Sequence, residues 1–245
     1  MDYIVLAAGR GKRLNPLTNT TQKCMYPILG KPFLEYSLEE LVASEAFDAD
    51  RDRITIVVGH HREQVQGHFG SNFRGAEIAY VYQEQQWGTA HAVYSAHCAL
   101  RYEEPVLVWL GDAYFSADLL GRVAACEGDA LTYLPLEKCQ ELAASPVRVE
   151  EGWASYIGWG FSEHTKRGNA ADIGCWRLCL ETLDLLPECN VRGEWRVLQG
   201  LARRMQEGHR IAAVEADEWV HLGNTPDTET RLRAVLCRMT GLTDV

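Results

Sequence analysis

The segment from Leu6 to Tyr36, LAAGRGKRLNPLTNTTQKCMYPILGKPFLEY, constrains the fold more than any other stretch of this chain. A short apolar run, Tyr3 to Leu6, leads into it and reads as a buried strand. The strand breaks into a loop punctuated by Gly9 and Gly11 and carrying Arg10, Lys12, Arg13, Lys23 and Lys31. Across the first 34 residues five side chains are basic and only Asp2 is acidic, although the whole protein carries a formal charge of −10. A loop this cationic on an acidic protein is built to hold an anion. Gly9 and Gly11 let the backbone approach that anion and present its N–H groups to it. Polyphosphate is the obvious candidate.

Two common polyphosphate loops do not fit. A Walker loop needs GxxxxGK[ST], which neither the glycines before Lys12 nor Gly30-Lys31-Pro32 supply. A dinucleotide fingerprint needs a third glycine where this chain has Leu14, and that glycine is what permits close helix-on-strand packing. Two arginines and a lysine beside the turn also exceed the charge a pyrophosphate diester requires.

At full length the segment resembles the N-terminal signature of the sugar-phosphate nucleotidylyltransferases, LAAGxGxRLxPLTxxxPKxMxPIxGKPxLEY. The match runs through Ala7, Ala8, Gly9, Gly11, Arg13, Leu14, Pro16, Leu17, Thr18, Lys23, Met25, Pro27, Gly30, Lys31, Pro32, Leu34 and Glu35. Gln22 departs from it, standing where the family has proline. That change is expected to alter the loop conformation without removing charge. The resemblance implies a Rossmann-like, doubly wound α/β fold, the nucleotide-diphospho-sugar transferase fold. Its sheet would be mostly parallel, with a small mixed β region on the acceptor side.

The whole chain sets broader bounds. At 245 residues and 47% hydrophobic it can bury a large core. One unit is expected over residues 1–245, with a nucleotide-binding half at 1–115 and an acceptor-binding half at 116–245. No run of 18 apolar residues predicts a membrane span, and no basic leader with an apolar segment precedes the first strand, so the expected location is cytoplasmic. Eight cysteines are scattered without a CxxC pair and read as reduced core thiols. Basic residues outside the first loop form no long stripe, which argues against nucleic acid as a partner.

Strand-like and helical runs alternate through the first half. Strands are predicted at 54–58, 77–82 and 106–110, and helices after Pro32, over 61–69 and over 89–100. This pattern predicts a sheet covered on both faces, with ligands beyond the carboxyl ends of its strands. The Gly9 loop and Asp112 both fall at such ends and should face one crevice. In the second half strands are expected at 129–136, 147–149, 153–161, 173–178 and 210–214. Helices are expected near Leu180, over 194–206 and over 227–239.

Several further motifs carry chemistry. Asp112 in VWLGDAYF follows four apolar residues and a glycine. A carboxylate at the tip of a buried strand suits a hard divalent ion, with a helix cap as the competing reading. The family has GDxxF here, matched by Gly111, Asp112 and Phe115, and the resemblance makes Asp112 a ligand of Mg²⁺. In YVYQEQQWGTAHAV, Gln83 offers an amide that can donate and accept, Gly88 bare backbone, and Thr89 the start of a helix. The stretch resembles the family's base-reading element QxxxxGTAHAV, familiar among uridylyl-transferring members. The nucleotide-binding set so implied is Leu6, Ala7, Ala8, Gly9, Gly11, Arg13, Gln83, Gly88 and Thr89.

Other motifs depart from the pattern. Trp219 to Pro226 resembles WxDxGTPxD, with His221 in place of the second metal-ligand aspartate and Asn224 inserted. Neutral imidazole can ligate a metal, but Mg²⁺ prefers oxygen, and a hydrogen-bonded core histidine is the competing reading. The EKP motif that contacts the sugar phosphate has no clean counterpart; Lys166 is the nearest, and a solvated loop lysine fits it equally. Gly174 in ADIGCWRL, which resembles AxAGxYxF, and Glu194 in Arg192-Gly193-Glu194 complete the acceptor candidates.

The reaction implied joins an NTP to a phosphorylated acceptor, releasing pyrophosphate. The acceptor phosphate is already ionised, so alignment and charge neutralisation replace acid–base catalysis. By resemblance, Arg13 would hold the β- and γ-phosphates, Lys23 would bridge the α-phosphate and acceptor, and Mg²⁺ on Asp112 would screen the phosphorus. UTP and a sugar 1-phosphate are the favoured substrates, with dTTP, CTP or GTP as alternative nucleotides. A non-sugar phosphate acceptor, such as an amino-alcohol or cyclitol phosphate, and a non-catalytic regulatory homologue are the alternatives. The resemblance also allows a homo-oligomer.

Overall fold

A strand covered on both faces must be apolar on both, and β1 (Asp2–Ala7) meets that condition along its length. Its alternating side chains divide between two cores, Tyr3, Val5 and Ala7 facing one and Ile4 the other. The computed structural model describes residues 1–97, 99–101, 105–139, 145–158, 168–191, 193–223, 230, 233–234 and 236–238.

After β1 the chain forms β2 (Pro27–Ile28), β3 (Lys31–Pro32), α1 (Phe33–Ala43), β4 (Arg53–Val58), α2 (Arg62–Phe69), β5 (Asn72–Phe73) and β6 (Ala76–Tyr82). There follow α3 (Thr89–His97), β7 (Val106–Leu110), β8 (Ala113–Tyr114), α4 (Ala117–Ala124), β9 (Ala130–Pro135), β10 (Ser145–Glu150) and β11 (Trp153–Ile157). The remainder comprises β12 (Ala170–Leu178), α5 (Leu180–Leu185), β13 (Asn190–Val191), β14 (Glu194–Trp195), α6 (Val197–Gln206), β15 (Ala212–Glu215) and β16 (Val220–His221).

Among the described residues ten strands form one sheet in the order β10-β11-β15-β9-β12-β7-β1-β4-β6-β5. The strands β6, β4, β1 and β7 run parallel, so their carboxyl ends lie along one edge. Side chains of α1, α2 and α4 pack on one face with Tyr3 and Val5. Those of α3, α5 and α6 pack on the other with Ile4 and Val57. The connection from β1 through α1 to β4 therefore runs on one face, and that from β6 through α3 back to β7 on the other. The strand order reverses between β1 and β7, and a crevice opens at the carboxyl ends of strands that diverge in this way.

The expected covered α/β sheet is present, but "mostly parallel" needs correcting. β12 inserts antiparallel between β7 and β9, and β10 and β11 add further antiparallel pairs. The strands β10, β11, β15, β9 and β12 pair in a closed circuit, because β10 bonds β12 as well as β11. The mixed region is thus half the sheet. Glu194 and Trp195 form a strand rather than the start of α6, because they pair antiparallel with β13, and the Trp195 N–H also bonds the Trp87 carbonyl (2.6 Å). α4 was not expected; Ser116 caps it, its hydroxyl accepting from the Leu119 N–H at 3.3 Å. The expected closing helix at 227–239 lies largely outside the described residues, and those described within it are helical. Of the cysteines described, Cys24, Cys175 and Cys189 are buried, the rest are partly exposed, and all are free thiols. No described helix is long and apolar enough to cross a membrane.

Leu107, in the middle of β7, is fully buried in the core that carries α1 and α4. Leu107→Ala is expected to lower unfolding free energy by about 2–5 kcal/mol in urea denaturation, the range for a cavity in a tight core. A loss under about 1 kcal/mol would show that this strand is not the packed centre of the fold.

Candidate active site

The loop after β1 is shaped by its own side chains. Gly11 adopts φ +59°, and a Cβ there would lie 2.9 Å from Thr18 Cγ2, so both conformation and space call for glycine. Thr18 Oγ1 lies 2.9 Å from the Gly11 carbonyl and 2.8 Å from Asn15 Oδ1, holding the turn closed. Gln22, 2% exposed, is buried beneath the loop. Its Nε2 donates to the Ala7 carbonyl (2.6 Å), and its Oε1 accepts from the Cys24 N–H (2.5 Å). The turn bearing Lys23 is thereby tied to the tip of β1.

Asp112 sits just past the end of β7. The Gly111 N–H donates to the Leu6 carbonyl (3.0 Å), which sets β7's tip against that of β1. Lys23 Nζ meets Asp112 Oδ2 at 2.5 Å, with side-chain exposures of 20% and 31%. Burial alone would push the Asp112 carboxyl up. The Lys23 charge and hydrogen bond outweigh it, His221 adds to the same effect, and the group is held below its ordinary value of 3.8. His221 reaches this corner because β16 pairs with β8, His221 opposite Ala113, while the Leu222 N–H donates to the Asp112 carbonyl (2.9 Å). Trp219 stands edge-on to the imidazole, ring centres 4.2 Å apart.

The third side of the crevice comes from the segment after β6. The Gln83 N–H continues the sheet by donating to the Val58 carbonyl (2.9 Å), and its side chain is 4% exposed. Gly88 has φ +118°, and a Cβ on it would fall 2.2 Å from the Trp195 carbonyl oxygen. Only glycine lets this segment lie against β14. Thr89 opens α3, its Oγ1 accepting from the Val197 N–H (3.2 Å). Gln86, which the sequence did not single out, donates from Nε2 to the Ala8 carbonyl (2.8 Å) and ties this segment to the first loop.

These elements enclose a cleft of about 540 Å³. Every residue of the expected nucleotide set lines it, as do Lys23, Asp112 and Glu194. Lys12 and Arg13 are exposed on its wall with no ion-pair partner among the described residues. A cleft so lined presents the uncompensated positive charge of Lys12 and Arg13, while its two carboxylates, Asp112 and Glu194, are each paired with a cation. Gly174 does not line it but packs against Leu110, which does. Glu194 carries an ion pair with Arg196 at 2.5 Å. Lys166 lies outside the described residues.

No trio of His, Cys, Asp or Glu placed to hold a metal occurs among the described residues. Mg²⁺ does not need one, since it is commonly held by one or two carboxylates with substrate phosphates and water. A partly exposed Asp112 facing the cleft fits that mode.

Ionised Asp112 stabilises the fold above its ordinary pKa, and that contribution is lost as pH falls through the lower folded-state value. In metal-free protein its carboxyl carbon is expected to titrate by NMR with a midpoint below the ordinary carboxylate value of 3.8. Lys23→Ala should move that midpoint upward, because burial then acts with less opposition. An unmoved midpoint would show that the ion pair does not control this carboxylate.

The sequence profile of the nucleotidyl transferase family matches residues 2–133, more than half of the chain. UTP–glucose-1-phosphate uridylyltransferase AglF of Haloferax volcanii is 27% identical over 89% of this chain and 89% of its own length. The bifunctional protein GlmU of Methanococcus maripaludis is 38% identical over 93% of this chain, which spans about half (52%) of that relative. Among solved structures, a UDP-glucose pyrophosphorylase complexed with UDP-glucose superposes with a TM-score of 0.80 at 19% identity, covering 97% of this chain and 98% of its own. The inositol-1-phosphate CTP transferase of T. maritima gives 0.79 at 19%, covering 100% and 98%. These two structures are similar in fold. The profile match, over strands and loops that build the cleft, identifies this chain as a member of the nucleotidyl transferase family of enzymes.

Proposed function

We propose that this protein transfers a nucleotidyl group from an NTP to a sugar 1-phosphate, releasing pyrophosphate. The observation that carries the reading is the contact of Lys23 with Asp112 at 2.5 Å across a cleft whose wall also bears exposed Arg13. In-line attack by an ionised acceptor phosphate needs no base; it needs crowded negative charge neutralised and aligned. In this arrangement the loop N–H groups and Arg13 hold the β- and γ-phosphates and stabilise the departing pyrophosphate. Lys23 lies between α-phosphate and acceptor. Asp112, together with phosphate oxygens, would hold Mg²⁺, which when bound supplies Lewis-acid neutralisation at the transferring phosphorus. His221, placed beside Asp112, is a further candidate contact to metal or phosphate.

Residues 1–115 serve the nucleotide and 116–245 the acceptor in this reading. UTP is favoured because Gln83 and Gly88 both line the cleft, and the relatives named above include a UTP-using enzyme of similar length. A second acceptor class stays in view for one reason: the chain lacks an EKP motif and shares its fold with an inositol-1-phosphate CTP transferase. A non-catalytic role is disfavoured, since Arg13, Lys23 and Asp112 together have no structural duty that requires all three at one cleft.

Offering each NTP with glucose 1-phosphate, other sugar 1-phosphates and inositol 1-phosphate, and scoring Mg²⁺-dependent pyrophosphate, is expected to give highest turnover with UTP and a sugar 1-phosphate. No release with any pair would refute the activity. Arg13→Ala and Lys23→Ala should each lower kcat on the order of 10²–10³-fold, the usual loss for one transition-state donor. Asp112→Asn should abolish Mg²⁺-stimulated turnover while leaving the circular dichroism unchanged.

A further inference from the structure

An amide side chain reads a base through whichever end it turns outward, since one end only donates and the other only accepts. At Gln83 that choice is already made. Its Nε2 lies 3.3 Å from the Gly88 carbonyl and 2.9 Å from His91 Nδ1. A carbonyl can only accept, so the NH₂ end must point inward toward Gly88 and α3. The Oε1 is the remaining end, has no hydrogen bond to any described residue, and belongs to a side chain that lines the cleft.

His91 is built to hold this orientation. Burial pushes its imidazole toward the neutral form, against a weaker opposing bond to the Gln85 backbone. With the NH₂ end of Gln83 fixed inward by the Gly88 carbonyl, Nδ1 must accept, so the neutral ring carries its proton on Nε2. Trp87 and Trp195 pin the ring, with centroids 4.8 and 5.4 Å away, the second nearly perpendicular at 87°. The imidazole therefore cannot swing aside without breaking that aromatic packing.

We propose that His91 is a positioning residue that locks the Gln83 amide with its oxygen toward the base, and so selects uracil or thymine over cytosine. The inference rests on the nucleotide reading of the cleft given above. Uracil and thymine carry a donor at N3, which an outward Oε1 accepts. Cytosine N3 carries a lone pair, which would face the same oxygen and repel it. Discrimination by one such polar contact is on the order of tenfold or more, because the mismatched group is left buried without a partner.

The test compares kcat and KM for UTP and CTP, with glucose 1-phosphate fixed, in wild type, His91→Phe and His91→Asn. Phenylalanine keeps a ring between the tryptophans but removes the acceptor. Asparagine keeps an acceptor where Nδ1 stands. His91→Phe is expected to cut the UTP-to-CTP ratio of kcat/KM by about tenfold, with the loss falling on KM for UTP rather than on kcat. His91→Asn should retain most of the ratio. His91→Ala carries the same expectation as His91→Phe should the latter fail to fold. A ratio unmoved in a folded acceptor-less variant overturns this inference alone. Absence of turnover with both nucleotides in wild type overturns it together with the proposed function.

Discussion

The ion pair of Lys23 with Asp112 joins the loop after the first strand to the tip of the seventh, across 89 residues of sequence. Everything else about the cleft follows from placing those two groups within contact distance. A lone carboxylate held this far from water would be driven toward its neutral form. Lys23 keeps the carboxylate charged, and both side chains still expose a fraction of themselves to the cleft. A polyphosphate entering there meets cations held in place by the fold, which is the arrangement that stabilises developing negative charge.

The fold makes this contact possible through chain direction alone. Parallel β6, β4, β1 and β7 discharge their loops at one edge, and the reversal of strand order beside β1 leaves the gap into which Lys23 and Asp112 project. That much was legible in the sequence, because buried parallel strands are written as continuous apolar runs and their ends by glycine. Tyr3 to Leu6 and Val106 to Leu110 needed no partner to be recognised. The rest was hidden because it depends on partners distant in sequence. Nothing local says that β12 runs antiparallel between β7 and β9, or that β10 closes a circuit onto it. Glu194 and Trp195 look helical until the Trp87 carbonyl claims a backbone N–H. Two-residue strands such as β8 and β16 exist only by pairing with each other.

The site residues divide in the same way. Motif positions with one chemical duty, Arg13, Lys23, Asp112 and Gly88, were identifiable and are brought to one cleft. Gln22 was visible only as a missing proline; its role appears when Nε2 meets the Ala7 carbonyl and Oε1 caps the Lys23 turn. Two hydrogen bonds made by one buried amide tie this loop to the tip of β1. Gln86 and His91 were legible as residues but not as contacts. His221 departs from the pattern in charge and stands beside Asp112 on the β8–β16 ladder.

A crystal structure with Mg²⁺ and a non-hydrolysable UTP analogue examines the central arrangement most directly. The account predicts the triphosphate under the Gly9–Arg13 loop, Lys23 on the α-phosphate, and the ion bridging Asp112 to phosphate oxygens. A triphosphate lodged outside this cleft, or an Asp112 that keeps its bond to Lys23 and touches no ion, would contradict it.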